Sequence, residues 1–423
     1  MSNDNEMRAA ALGRRSLLKA GAAAGVAGAG TMVYSGTSWG ASEKPVKIGM
    51  VDPRTGTYAA LGENEIRGAK LAVDELNKKN GVLGRPVQLI VEDSQGTPGP
   101  AVSKTQKLLH QEKVDFLIGG VSSAVAEAIS QVAYQKGVLY VDTGGHADDV
   151  TGSKCHWTTF RTCSTTWLLT SGDFGTLFKK FGKRWFFITP DYSFGHAERS
   201  DYAAQLKKAG GVELGNALAP LGTTDFSSYL IRAKAAKPDV LICLQAGGDL
   251  VNLLKQATQF GLQKEMAIAG ALQELEVLEA LPKSALLGWW TMEWYWNQPN
   301  VPEVAKFVEA YKPHAGGKVP TARSWFGYAT VHALALAAAK AKSVETMKMV
   351  KAMEGLELPP DIALQPGKVA YRAGDHQLIG NMFPGSVPKD ASYPNLFKVA
   401  DVVPSEKIAR SPEEKGCKMT YPS

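Results

Sequence analysis

Residues 46–102 read VKIGMVDPRTGTYAALGENEIRGAKLAVDELNKKNGVLGRPVQLIVEDSQGTPGPAV. Two short apolar runs, VKIGMV (46–51) and VQLIVED (87–93), are strands by length and composition. Between them Ile66, Ala69, Val73 and Leu76 recur at helical spacing and share one face. Strand, helix, strand is a βαβ unit, and a chain built from such units forms a parallel sheet.

The same alternation continues outward. VDFLIG (114–119) and VLYVD (138–142) follow as strands. After a break near 155–167 comes a second set: WFFIT (185–189), VELGNAL (212–218), VLICL (240–244), MAIAG (266–270) and LLGWWTM (286–292). Two runs of this kind argue for an α/β protein with two doubly wound parallel-sheet lobes rather than one barrel. Helical segments at 302–313, 321–342 and 344–355 come next, and the chain from 357 onward is punctuated by Pro and Gly, reading as a hairpin and an extended tail. If those late helices return to the first lobe, the chain crosses between lobes several times and leaves a ligand cleft between them.

Length and composition bound the function. A chain of 423 residues forms about two or three domains. With 44% apolar and 21% charged residues the composition is that of a soluble globular protein. The net charge of +6 comes without any Lys/Arg cluster, so nucleic acid is not an expected partner. Gly13-Arg14-Arg15-Ser16-Leu17-Leu18-Lys19, followed by the Ala/Gly-rich AGAAAGVAGAGTMV, reads as a twin-arginine export signal. It is too short and too glycine-laced for a membrane span. Small residues Gly40-Ala41-Ser42 suit cleavage, so residues 1–42 are expected to be a removed leader. The first cysteine is Cys155, so no lipid anchor is expected and the product should be free in a periplasm.

LIGGVSSAVAEAIS (117–130) poses the sharpest question. Gly120-Val121-Ser122-Ser123-Ala124 is one residue short of the G-x-S-x-G elbow of a catalytic serine. The same strand-to-helix turn could instead hold an anion at a helix N-terminus. A nucleophile needs an acid and a histidine to follow. Histidines 314, 332 and 376 lie far downstream, but His314 follows a proline and His332 sits in an apolar helical pattern, where a packed or solvated histidine is commoner than a base. There is no G-x-G-x-x-G after the first strand and no Walker pattern. No enzyme, cofactor or metal site is expected, and the serines read as a clamp, with N-capping as their plainer role.

Three stretches carry a resemblance: residues 46–102, TTDFSSYLIRAKAAKPDVL (223–241) and PDYSFG (190–195). Over roughly 45–385 the chain resembles the type I periplasmic solute-binding proteins of ABC importers, the leucine/isoleucine/valine-binding group. The resemblance implies two lobes joined by three crossovers that close on a small molecule, with an ABC permease and ATPase complex as partner and a monomeric receptor. It assigns 43–162 plus 294–377 to lobe 1 and 163–293 plus 378–423 to lobe 2 and the tail.

Carried over residue by residue, Ser123 falls on the serine that contacts ligand, with Ser122 before it. Gly144 and Gly145 fall where backbone amides face the ligand carboxylate, and His146 where amino-acid binders have threonine. Phe194 replaces the tyrosine of a Tyr-Gly pair, and Gln245 stands where another tyrosine is expected. In AGALQELE (269–276) the acid that holds an ammonium falls on Leu272 or Gln273 rather than Glu274. Tyr58, Tyr192 and Trp294 complete the expected ligand set. Plainer readings are a solvated loop for His146, core packing for Phe194 and a structural role at the hinge for Arg161. Loss of the ammonium-binding groups argues against a zwitterion. Aromatic residues near the crossovers (Trp157, Phe160, Trp167, Trp289, Trp290, Trp294, Tyr295, Trp296) suggest an aromatic or apolar carboxylate, with amino acids or short amides as the alternative ligand and a ligand-sensing subunit as the alternative role. At least one of Trp289 and Trp290 must be sheet core, because neighbouring strand residues face opposite sides.

Four cysteines allow three complete pairings. Cys243 lies inside VLICL and is expected to be a buried thiol. Cys155 and Cys163 flank a strand-like segment that separates them by about 26 Å, too far for a disulfide. Cys155–Cys417, pinning the tail near the first crossover, is the expected bond.

Overall fold

The computed structural model describes residues 31–35 and 44–422. The paired arginines and the Gly40-Ala41-Ser42 site lie outside the described residues. No helix among the described residues is long and apolar enough to cross a membrane.

The first half of the chain is β1 (Met32–Ser35), β2 (Val46–Asp52), α1 (Ala59–Lys78), β3 (Val87–Asp93), α2 (Pro98–Lys107), β4 (Phe116–Gly119), α3 (Ser123–Lys136), β5 (Tyr140–Asp142) and β6 (Thr159–Arg161). These strands form one sheet in the order β1-β3-β2-β4-β5-β6. β2 through β6 are parallel. Their apolar runs are buried on both faces because helices cover both sides. β1 departs from the expected leader. Met32–Ser35 pairs antiparallel with β3, where it satisfies backbone groups that an edge strand would leave unpaired.

The chain then crosses to a second sheet built from α4 (Thr166–Phe181), β7 (Arg184–Pro190), α5 (Ser193–Lys208), β8 (Val212–Ala219), α6 (Ser227–Ala236), β9 (Val240–Cys243), α7 (Gly247–Gln259), β10 (Ala267–Ala269), α8 (Leu275–Ala280) and β11 (Trp289–Met292). Four helices follow: α9 (Glu303–Tyr311), α10 (Ala322–Ala341), α11 (Thr346–Met353) and α12 (Pro360–Ala363). They return to the first sheet, where α10 packs along α1. A small hairpin of β12 (Ala370–Tyr371) and β13 (Leu378–Ile379) leads back to β14 (Asn381–Ser386), which joins β11 antiparallel, and then to β15 (Lys398–Val399) and β16 (Val403–Pro404). The second sheet runs β15-β14-β11-β10-β9-β7-β8. Two doubly wound α/β sheets and three crossings result, with antiparallel strands at one border of each.

The α1–α10 contact positions the site. A β-carbon on Gly68 would overlap the Ser324 carbonyl, and one on Gly327 would overlap the Glu65 carbonyl. Only glycine at both positions lets the two backbones approach this closely. Thr321 starts α10 with a reciprocal capping pair to Ser324. This contact brings Arg323 of α10 against Glu65 of α1.

Cys155 is bonded to Cys417, and Cys163 and Cys243 are buried free thiols. Beyond β16 the tail leaves the second sheet and returns to first-sheet elements, since Lys415 reaches Asp375 and Tyr421 reaches Glu354. Anchoring side chains and the disulfide carry it there rather than any strand pairing.

Gly68→Ala should destabilise the protein by about 1–3 kcal/mol, the range for overpacking a tight contact. Denaturant unfolding measures it; a midpoint unchanged from the parent would show that the helices can move apart freely.

Candidate ligand cleft

The C-terminal ends of the parallel strands of the two sheets face one another, as ligand sites of open α/β sheets do. Several bonds span the gap. The Thr57 hydroxyl donates to Asp249 at 2.7 Å, and the Gly248 N–H donates to the Thr57 carbonyl at 3.0 Å. The Tyr58 and Tyr192 hydroxyls are 2.5 Å apart, and Asn64 donates to Glu276 at 2.8 Å.

At the centre lies Arg323, buried. Its Nη1 donates to Glu65 Oε1 at 3.0 Å on the first-sheet side. Its Nε donates to Glu274 Oε1 at 2.6 Å, and its Nη2 lies 2.5 Å from the same oxygen, on the second-sheet side. A β-carbon on Gly144 would overlap Nη1 and come within 2.9 Å of the Val121 Cα. The guanidinium therefore sits against the Gly144–Gly145 loop, and Gly144 in turn lies against Val121, next to the Gly119–Gly120 pair.

Those loops behave differently from expectation. The Gly144 and Gly145 amides donate to Asp142 Oδ1 at 3.0 and 2.8 Å, and the Gly120 amide donates to Asp52 Oδ1 at 2.7 Å. Strand-end loops rich in free N–H groups attract an anion, and here the chain supplies its own. The two glycines are structural: their amides hold Asp142, and Gly144 makes room for Arg323. Burial, with Glu65 adding repulsion, pushes the Asp142 carboxyl up to about 7 against the opposing pull of Arg161 and the two amides. Burial and Glu65 likewise push Asp52 up.

The two serines separate. Ser123 Oγ accepts from the Ala147 N–H at 3.0 Å and so ties the two loops together. Ser122 is the N-cap of α3 without a side-chain capping bond. His146 is not solvated: its Nε2 lies 2.6 Å from Glu293 Oε2, and both are buried. Its ring stands edge-on to Phe194 at 5.9 Å and to Phe326 at 6.5 Å. Tyr192 packs on Phe194 at 6.0 Å. Gln245 is buried with neither amide atom partnered. Gln273 Oε1 accepts from the Glu274 N–H, and its Nε2 is unpartnered.

Trp294 is not brought to the cleft. Its indole donates to the Leu364 carbonyl at 2.8 Å and packs on Phe307. The other crossover aromatics are likewise occupied elsewhere. Trp157 packs on Tyr421, Phe160 stacks on His376, and Trp167 donates to the Ile408 carbonyl. Trp289 and Trp290 belong to opposite faces of their strand. Arg161 is structural: it donates to the Gly145 and Ala147 carbonyls, Gln377 and Thr151.

The sequence reading missed Arg323, Glu65 and Glu293, and it set Glu274 aside. The available signal was Arg323 itself, a charge in the opening turn of the apolar helix ARSWFGYATVHALALAAAKA. Glu274, not Leu272 or Gln273, is the acid that reaches across the cleft.

A family model described as "Periplasmic binding protein" matches residues 45–392. The chain belongs to the periplasmic binding protein family. Leu/Ile/Val-binding protein homolog 8 of Brucella suis is 29% identical over 365 residues, covering 82% of this chain and 87% of that protein. A periplasmic binding protein from Burkholderia mallei is 30% identical with a TM-score of 0.82, covering 88% and 98%. A solute-binding protein from R. palustris, solved in complex with benzoate, is 22% identical with a TM-score of 0.78 and covers 89% and 100%, a likeness of fold. The family, of the branched-chain amino acid type, is one of periplasmic receptors that bind small ligands for ABC transporters and are not enzymes.

Burial alone would raise the Glu293 carboxyl. His146, two bonds from the Ser164 N–H and hydroxyl at 2.6 Å, and Arg323 outweigh it and hold the group at about 2. A depressed carboxyl stabilises the fold above its ordinary value of 4.5 and loses that contribution as the pH falls through about 2. Glu293→Gln should therefore flatten the loss of stability between those two pH values, and at pH 7 destabilise by on the order of 3 kcal/mol. Urea titrations across that range check it; an unaltered acid slope would mean that Glu293 does not carry the linkage.

Proposed function

We propose that this receptor captures a small carboxylate with an aromatic or apolar body between its two sheets. It delivers this solute to a membrane permease and its ATPase as a monomer, after twin-arginine export to the periplasm. The observation that carries the reading is the buried Arg323 guanidinium against the Gly144–Gly145 loop, with Phe326 5.7 Å from it and a run of contacts leading on through His146 and Phe194 to Tyr192 and Tyr58. Opening the sheets would take Glu274 away from Arg323 and leave Glu65 behind. That frees charge-assisted donors for a ligand carboxylate. Gln245 and Gln273 supply unpartnered amide atoms for a ring substituent or other polar group. The benzoate bound by the R. palustris neighbour is a ligand of this chemistry.

A second reading, an amino acid, has its own observation. Glu274 Oε2 is buried without a partner, and two carboxylates on one guanidinium leave a net negative cluster that an ammonium would balance.

Thermal shift against benzoates, phenylpropanoids, amides and amino acids separates the two. A ligand at 100 times its Kd should add about 2.7 kcal/mol. Ser122→Ala should weaken either ligand by about 1–3 kcal/mol. Glu274→Gln should leave a plain carboxylate as tight or tighter and weaken an amino acid at least tenfold. Calorimetry with no response to any of these solutes would sink both readings.

A further inference from the structure

The family match ends at residue 392, yet the chain beyond it is tied down at nearly every turn. Ser405 donates its N–H to the Gly380 carbonyl beside the third crossing. The chain then runs along α4, where Trp167 donates to the Ile408 carbonyl at 2.7 Å and the Arg410 guanidinium lies 4.4 Å over the Trp167 ring. Arg410 also bridges two acids from different sheets: Asp148, in the turn before β6, and Asp201 of α5, at 3.5 Å. From there every anchor is on first-sheet elements. Arg372 donates to the Arg410 carbonyl at 2.9 Å, and Lys415 donates to Asp375 at 2.9 Å and to Thr151 at 3.1 Å. Cys417 is bonded to Cys155, and Tyr421 donates to Glu354 at 2.6 Å with Lys351 over its ring.

We infer that residues 405–421 are a fourth tie between the two sheets, locked by Cys155–Cys417, and that this tie limits how far the cleft opens. An unfastened tail could swing with the second sheet. A tail clamped to α4 at one end and covalently to the first sheet at the other cannot, because moving Asp201 from Asp148 must strip Arg410 from one of them. The tie also reaches the ligand side. Lys415 shares Thr151 with Arg161, and Arg161 holds the Gly145 and Ala147 carbonyls of the cleft loop. Arg410, Lys415 and the disulfide are positioning groups; none of them touches the cleft itself.

The Gly248 N–H, bonded to Thr57 across the cleft, reports opening directly through hydrogen exchange. In ligand-free protein, a Cys155→Ser/Cys417→Ser variant should exchange the Gly248 amide at least tenfold faster, while amides of β4 keep their protection. Arg410→Ala and mild thiol reduction of the parent protein repeat the measurement should the double variant fold poorly. Faster exchange at Gly248 in any of these, with β4 intact, supports the tie. Loss of protection confined to 405–421, with Gly248 unchanged throughout, overturns it and makes the disulfide a staple for the tail alone.

Discussion

Arg323 is the interaction on which the cleft depends. A guanidinium buried between two glutamates is stable only if its donors are met and its charge is balanced, because desolvating an ion outweighs most single contacts. Glu65 and Glu274 meet that requirement from opposite sheets. The close α1–α10 approach through Gly68 and Gly327, and the missing side chain at Gly144, exist around it. Because one partner belongs to each sheet, the same arginine links local packing to the relative position of the sheets. Opening exposes it to water and lowers the penalty of separating the pair, while closing demands that something fill its donors.

The backbone amides show the complementary strategy. Asp52 and Asp142 occupy the anion positions of the Gly–Gly loops and are pushed toward neutrality by burial. Filling these positions from within fixes the loops before any solute arrives. These backbone amides are thereby already engaged by the chain's own carboxylates. A preorganised loop loses less entropy on binding than one ordered by its ligand.

The fold was legible because its signals are long. Seven-residue apolar strands and twenty-residue helices announce their period, and the returning helix α10 was visible as an Ala-rich run. Two-residue strands such as β12 and β13 carry no period, and the path of the tail depends on side chains far apart in sequence. The site was legible by loop but not by residue. Ser122, His146, Phe194 and Gln245 do lie at or just after strand ends, whereas the acid was expected at Leu272 or Gln273 and it is Glu274 that meets Arg323. The tryptophans misled because closeness to a crossover in sequence says nothing about which face a ring takes. Trp294 turns inward to Leu364, while Phe326, which no cleft motif marks, turns toward His146.

His146 shows how hinge and cleft share one network. It joins the loop after β5 to Glu293, the first residue past β11, and Glu293 is held in turn by Ser164 at the first crossing. Two crossings therefore converge on one carboxylate, and the histidine ring that reaches it is also the wall against which Phe194 packs. The packing of Phe194 is thereby coupled to His146, and through Glu293 to both crossings at once. Such a network matters to the balance of open and closed states only in so far as its contacts differ between them.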